Sequence, residues 1–198
     1  MERHSPPTRL TFISHAATRA QRRAAFPLEE SLEESEVVKI VSLGWNAPGA
    51  QQILSGPEER TQQTAAALGL LFAVTDELRD CDYGTWKGRE LDEVQSSEPD
   101  KVLTWLTDAA ATPHGGESIT ALIGRIGRWL TAQSEAGHVI AVTHPAVIRA
   151  AIVFILNAPA QAFWRIDIAP LSVTDLRFNG RVWTLRSSSC ALRSSDSL

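Results

Sequence analysis

The chain has 198 residues, of which 43% are hydrophobic and 21% charged, a composition typical of one globular domain with its own core. Its net charge of −4 excludes a general attraction for nucleic acid or for an anionic membrane. The two cysteines, Cys81 and Cys190, suit neither a disulfide framework nor a metal site. Because the N-terminus carries no apolar leader and no run is long enough to span a bilayer, we expect a cytoplasmic protein with free thiols.

Short apolar runs alternate with helical segments along the chain, and each type is recognised by its own periodicity. In chain order the sequence predicts a strand at 10–13, a helix at 37–45, a strand at 51–55, a helix at 56–70, a strand at 71–75, helices at 91–95, 100–108 and 119–136, a strand at 138–142, a helix at 145–156, and strands at 166–168, 171–178 and 182–185. Asn179-Gly180, between the last two strands, is a strong signal for a hairpin turn.

This alternation predicts the fold class, which is an α/β protein built as a three-layer α/β/α sandwich. The sheet should be mainly parallel, with an antiparallel edge and a C-terminal β-hairpin. We expect a single domain over residues 1–186, followed by a serine-rich, disordered tail over 187–198.

Two histidines mark a candidate site at one edge of this sheet. His15 and His144 each follow the C-terminal end of a buried strand, where open α/β sheets bind their ligands. Arg60 lies near the start of the helix after Ser55, and Pro145 begins a helix beside His144. Two imidazoles, one guanidinium and two helix N-termini at one edge suit a phosphoryl group, whose transfer depends on positioning and charge stabilisation.

Five segments in chain order resemble the histidine phosphatases, also called the phosphoglycerate mutase-like superfamily. The resemblance spans about residues 8–185. The segments are 10–18, which is similar to the family's opening strand and nucleophile motif; 55–65, its arginine motif; 78–88, the loop that supplies the acid; 116–118, a helix start; and 142–149, the second histidine motif.

The resemblance implies a phosphomonoesterase that acts on a small phosphorylated metabolite and needs no metal or other cofactor. His15 would attack phosphorus and become phosphohistidine, while His144 and Arg60 would hold the phosphoryl oxygens. Asp80 would protonate the leaving alcohol, for which its pKa must be raised. Asp82 would take this role if the register of the loop differs.

The chain departs from the family pattern beside the nucleophile, where Ser14-His15-Ala16 stands in place of Arg-His-Gly. Ser14 offers a hydroxyl but no charge, and losing one charge-assisted hydrogen bond should slow the reaction by about 10- to 100-fold. Arg19, Arg22 and Arg23 are the candidates to replace the missing charge, with Arg22 the first choice, unless these arginines only form a solvated helix face.

This departure leaves two hypotheses open. In the first, the protein is a phosphatase of reduced activity; in the second, it has lost turnover and binds a phosphorylated ligand or a partner protein. The aromatic cluster at 163–166 is either core or the contact of a homodimer, and His114 is a further candidate for the pocket wall. The remaining positions expected to contact substrate are Thr18, Thr143 and Pro145.

Overall fold

One six-stranded sheet forms the centre of the computed structural model, which describes residues 8–192. The strand order is β3-β2-β4-β1-β5-β6, with β1 to β4 parallel to one another and β5 antiparallel to both of its neighbours. This arrangement confirms the predicted α/β fold with an antiparallel edge and a C-terminal hairpin. The strands are β1 (Thr8–Ser14), β2 (Gln52–Ser55), β3 (Ala73–Val74), β4 (His138–Thr143), β5 (Ser172–Phe178) and β6 (Trp183–Ala191).

Helices cover both faces of the sheet because its central strands are apolar on both faces. In β1, Phe12 packs into one core with helices α6 and α7, whereas Ile13 packs into a second core with α2 and α3. No helix formed by residues 8–192 combines the length and the apolar character that crossing a bilayer requires. The helices are α1 (Arg19–Arg22), α2 (Glu34–Ser42), α3 (Glu59–Ala67), α4 (Leu91–Ser97), α5 (Pro99–Thr107), α6 (Ile119–Ala132) and α7 (Pro145–Ile155).

A third cluster, which is aromatic, lies under helices α4 and α5. Phe26, Trp86 and Trp105 form its centre, and the rings of Trp105 and Trp164 approach to 4.2 Å between centroids. Phe163 is buried in the core that contains α6 and α7, and Trp164 packs against the same core. The sequence left two alternatives for the aromatic residues at 163–166, namely the core or the contact of a homodimer. The packing of Phe163 and Trp164 supports the core.

Three of the differences between the predicted elements and the structure have an identifiable physical cause. Residues 166–168 do not form a strand, since they lead into Pro170, which has no N–H for a sheet ladder. The first long helix begins at Glu34 and not at 37, because acidic residues favour a helix N-terminus. The predicted tail is wrong for 187–191, which pair with β5 through backbone bonds that need no apolar side chain; residues 193–198 lie outside the described part.

Candidate active site

The two central strands bring the two site histidines together. Strands β1 and β4 are parallel neighbours with Ser14 opposite Thr143, and the backbone N–H of His15 donates to the carbonyl of Thr143 at 2.9 Å. The rings of His15 and His144 consequently meet edge to face, with their centroids 5.2 Å apart. Both side chains are buried, at 3% and 0% exposure. The expected convergence at one edge of the sheet is what the structure contains.

His15 is held in the state that a nucleophile needs. Its Nδ1 lies 2.7 Å from the carbonyl oxygen of Ala16, and because a carbonyl only accepts, Nδ1 carries the proton and Nε2 keeps a free electron pair. Burial lowers the pKa of His15 to about 3, and the charges of His144 and Arg60 act in the same direction. The ring is therefore neutral at neutral pH.

Arg60 and Asp80 form a buried ion pair next to the histidines. Arg60, only 2% exposed, donates through Nη2 to Asp80 Oδ2 at 2.8 Å and through Nη1 to the carbonyl of Leu28 at 3.1 Å. Burial by itself would raise the pKa of Asp80, but the charges of His144 and Arg60 hold it below its ordinary value. The raised pKa that we expected for Asp80 is thus wrong, because Arg60 and His144 lie against this carboxyl.

Glu58 is a site residue that the sequence reasoning missed. Its Oε2 lies 2.7 Å from Nε2 of His144, and its Oε1 accepts the backbone N–H of Asp80 at 2.9 Å. Burial would raise the pKa of Glu58, but the hydrogen bond and the charge of His144 bring it down to about 2. A glutamate before a helix is ordinarily explained by the helix dipole, so its position gave no separate signal.

The ring of His144 lies between two carboxyl groups. While Nε2 faces Glu58, Nδ1 lies 3.3 Å from Asp80 Oδ2, an ion-pair distance without the alignment of a hydrogen bond. The imidazolium form can donate to both carboxylates at once. His144 and Arg60, the two groups expected to hold phosphoryl oxygens, both contact Asp80.

A cavity of about 380 Å³ opens directly on His15. Part of its wall was predicted: Thr18, Arg60, Asp80 and Pro145 line it, and Thr18 also caps α1 through a hydrogen bond from the backbone N–H of Gln21. Arg149, one helical turn after Pro145, lines it as well and was not predicted. Within residues 8–192, no group of three His, Cys, Asp or Glu side chains is arranged to hold a metal ion.

Four other predicted contacts lie away from this cavity. Ser14 is fully buried, and its hydroxyl has no partner among the described residues, while Thr143 donates its hydroxyl proton to the carbonyl of Leu78 at 2.8 Å. Arg19 and Arg22 are paired with acidic side chains of the following loop and helix, which compete for their charge. Those acidic partners are Glu33 and Glu36.

Neither Asp82, the fallback for Asp80, nor His114, the further candidate for the pocket wall, lines the His15 cavity. Asp82 pairs with Lys87 at 2.7 Å and lines a neighbouring cavity that it shares with Glu58 and Asp80. His114 is buried, and its Nδ1 accepts the backbone N–H of Gly116 at 3.0 Å, so it supports the glycine loop.

Arg125 of α6 supports the loop that carries Asp80. It is 7% exposed and forms a two-pronged contact with the carboxylate of Glu117, at 2.9 and 2.8 Å. It also donates to the backbone carbonyls of Glu77, Arg79 and Asp80, at 2.6, 3.1 and 3.3 Å. One buried guanidinium therefore connects the helix to three positions of the loop.

The free energy of unfolding is expected to fall as the pH is lowered from 6.5 toward about 5. Burial lowers the pKa of His15 to about 3 and also lowers those of His114 and His138, so the unfolded chain binds protons that the folded protein does not. For His15 the loss over this interval is about 2 kcal/mol. Urea unfolding at several values between about pH 7 and about pH 5 measures this loss. If the free energy of unfolding falls equally steeply with pH in His15→Gln, His15 is not the source of the loss.

The sequence as a whole matches a known family. The sequence model of the histidine phosphatase superfamily (branch 1) matches residues 13–190. A bifunctional protein of Mycobacterium tuberculosis is 29% identical over 196 residues, which cover 88% of this chain and 52% of that protein. The chain thus spans about half the length of the curated relatives it matches first. A glucosyl-3-phosphoglycerate phosphatase of the same organism is 27% identical over 172 residues, covering 76% of each chain.

Solved structures share the fold. The native mycobacterial glucosyl-3-phosphoglycerate phosphatase superposes with a TM-score of 0.79 at 23% identity, covering 94% of this chain and all of that one. The α-ribazole phosphatase of Shigella flexneri superposes with a TM-score of 0.81 at 20% identity, covering 95% and 98%. Together with the match over 13–190, the converging histidines place this chain in branch 1 of the histidine phosphatase superfamily, to which it belongs.

Proposed function

We propose that the protein is a phosphomonoesterase that acts on small phosphorylated metabolites through a phosphohistidine on His15. The proposal rests above all on the state of this ring, which is neutral, lines the cavity and has an unprotonated Nε2. The relatives named as phosphatases of small metabolites support the substrate class. We include in the proposal that the protein works in the cytoplasm, without a nucleic-acid or membrane partner.

In the first step, His15 Nε2 attacks phosphorus and the bond from phosphorus to the ester oxygen breaks. Arg60 and His144 stabilise the charge on the transferring oxygens. To do so, Arg60 must exchange a hydrogen bond with Asp80, and His144 one with Glu58, for a hydrogen bond to the substrate. Water then attacks the phosphohistidine and releases phosphate and the free imidazole. This scheme uses no metal.

Asp80 passes the proton to the leaving oxygen. The charges of His144 and Arg60 favour the ionised carboxylate of Asp80, but a phosphoryl group adds negative charge beside it and draws on Arg60, and both changes raise the pKa of Asp80. The carboxyl can then take a proton from a singly protonated phosphate ester and give it to the departing alkoxide. In the second step, the carboxylate accepts a proton from the attacking water.

Asp80→Asn should slow hydrolysis of an alkyl phosphate by about 10²- to 10⁴-fold, because an alkoxide is a poor leaving group without a proton. With p-nitrophenyl phosphate, whose leaving group is stable as an anion, the loss should be much smaller. Steady-state kinetics of both esters measure the difference. Equal losses would contradict the role, and the same selective loss in Asp82→Asn would assign it to Asp82.

A second candidate function is binding of a phosphorylated ligand without turnover. It is favoured by the uncharged Ser14 beside the nucleophile and by the contacts of Arg60 and His144 with carboxylates. Phosphate release from a panel of phosphomonoesters, measured beside His15→Ala, separates the two functions. Turnover that is lost in His15→Ala supports the enzyme; binding of inorganic phosphate by both proteins, with turnover by neither, supports the binding protein.

A further inference from the structure

A recess adjoins the His15 cavity, and Arg60 is not among the residues that line it. The recess, which we call the aromatic recess, has a volume of about 430 Å³, and it shares Ala25, Pro27, Tyr83 and Arg149 with the His15 cavity. Its other walls are mainly aromatic. They include Phe26, Trp105, Phe163 and Trp164. A substrate whose phosphoryl group lies at His15 can extend its leaving group into this recess past the four shared residues.

Arg149 lies where the cavity and the recess meet. It follows Pro145 by four positions on α7, so both residues lie on one face of the helix, about 6 Å apart along its axis. Its guanidinium lies over the ring of Phe163, with 5.8 Å from Cζ to the ring centroid. This contact fixes the side chain beside the path of the leaving group.

The guanidinium of Arg149 has hydrogen-bonding capacity that the protein does not use. Its Nε is buried without a partner among residues 8–192, and its nearest carboxylate, Asp167, is 3.7 Å away. The side chain of Asp167 is 97% exposed, so water and salt screen this pair. Arg60, the other arginine of the cavity wall, is already bound to Asp80 and to Leu28.

We propose that Arg149 binds a carboxylate on the leaving group, so that the preferred substrates are phosphorylated organic acids. A guanidinium donates hydrogen bonds and accepts none, and its planar fork matches a carboxylate. A singly charged group fits this wall, where Asp80 and Asp167 also lie, better than a second phosphate dianion would. The inference rests on the proposed phosphomonoesterase function and specifies its substrate class.

Two matched pairs of esters test the inference. O-phosphoserine and O-phosphoethanolamine differ by one carboxylate, and 3-phosphoglycerate and glycerol 3-phosphate differ by a carboxylate in place of a hydroxymethyl group. In the wild type, kcat/KM should be higher for the carboxylate member of each pair by about 10- to 100-fold. In Arg149→Gln this ratio should fall close to one, whereas in Arg165→Gln, which changes an exposed arginine outside the cavity, the ratio should stay.

The outcomes separate this inference from the function on which it rests. If Arg149 contacted the reacting phosphoryl group instead, Arg149→Gln would slow the hydrolysis of every ester equally. The ratio of kcat/KM values would then stay unchanged, which would overturn the inference but not the proposed phosphomonoesterase function. Turnover of none of the esters by the wild type would reject the proposed function. Calorimetric binding of the same pairs to His15→Ala then tests the inference without turnover, and equal affinities for both members would overturn it.

Discussion

Replacing His15 with alanine is expected to abolish phosphate release, with a loss on the order of 10⁴- to 10⁶-fold in kcat. The alanine cannot form the covalent intermediate, and among the described residues no other histidine lines the cavity. Wild-type protein quenched during turnover of a ³²P-labelled ester should carry label that is stable in alkali and labile in acid, as expected for phosphohistidine. His15→Ala should carry none.

His138→Gln is the matched control for this experiment. His138 lies at the opposite end of β4 from His144 and bonds to Gly49 and Thr11, so the variant should retain activity and labelling. Label that persists in His15→Ala, or is lost equally in His138→Gln, would contradict the assignment of the nucleophile. Both variants should first be compared with the wild type by thermal unfolding.

Replacing Arg125 with methionine is expected to lower the free energy of unfolding by about 3–5 kcal/mol, because it leaves the carboxylate of Glu117, which is only 13% exposed, without its partner. It also leaves three carbonyls of the loop at 77–80 without a donor. Urea unfolding measures the loss. Turnover of an alkyl phosphate should fall as well, since this loop positions Asp80.

The double variant Arg125→Met with Glu117→Leu tests the cause. Removing both charges should recover a large part of the lost stability, because an apolar pair of similar volume has no desolvation cost. The recovery should be incomplete, since the loop carbonyls still lack their donor. If the single and double variants are equally unstable, the unpaired charge is not the source of the effect. Turnover should stay low in both variants.

The sequence predicted those features of the site that follow from strand order. His15 and His144 come directly after two apolar strands, and such strands in a parallel sheet end at the same edge, so their convergence could be expected. Glu58 and Arg149 were missed because their roles come from contacts between distant segments. The Glu58–His144 contact joins residues 86 positions apart, and no local pattern indicates it.

Electrostatic states were the harder part to predict. The lowered pKa of Asp80 depends on Arg60 and His144 together, and only the fold brings the three groups into contact. The pairing of Arg19 and Arg22 with acidic side chains was easier to predict, since Glu33 and Glu36 follow within one short stretch of chain. The extension of β6 through serines was hidden by composition, because backbone pairing does not require apolar side chains.

The sheet and the walls of the recess belong to different parts of the chain. His15 and His144 follow the two central strands, whose positions are set by a ladder of backbone hydrogen bonds. Trp105 comes from α5 and Trp164 from the connection between α7 and β5, neither of which contributes a strand to that ladder. Mutation can therefore remodel the recess, and with it the proposed choice of substrate, without changing the positions of His15 and His144.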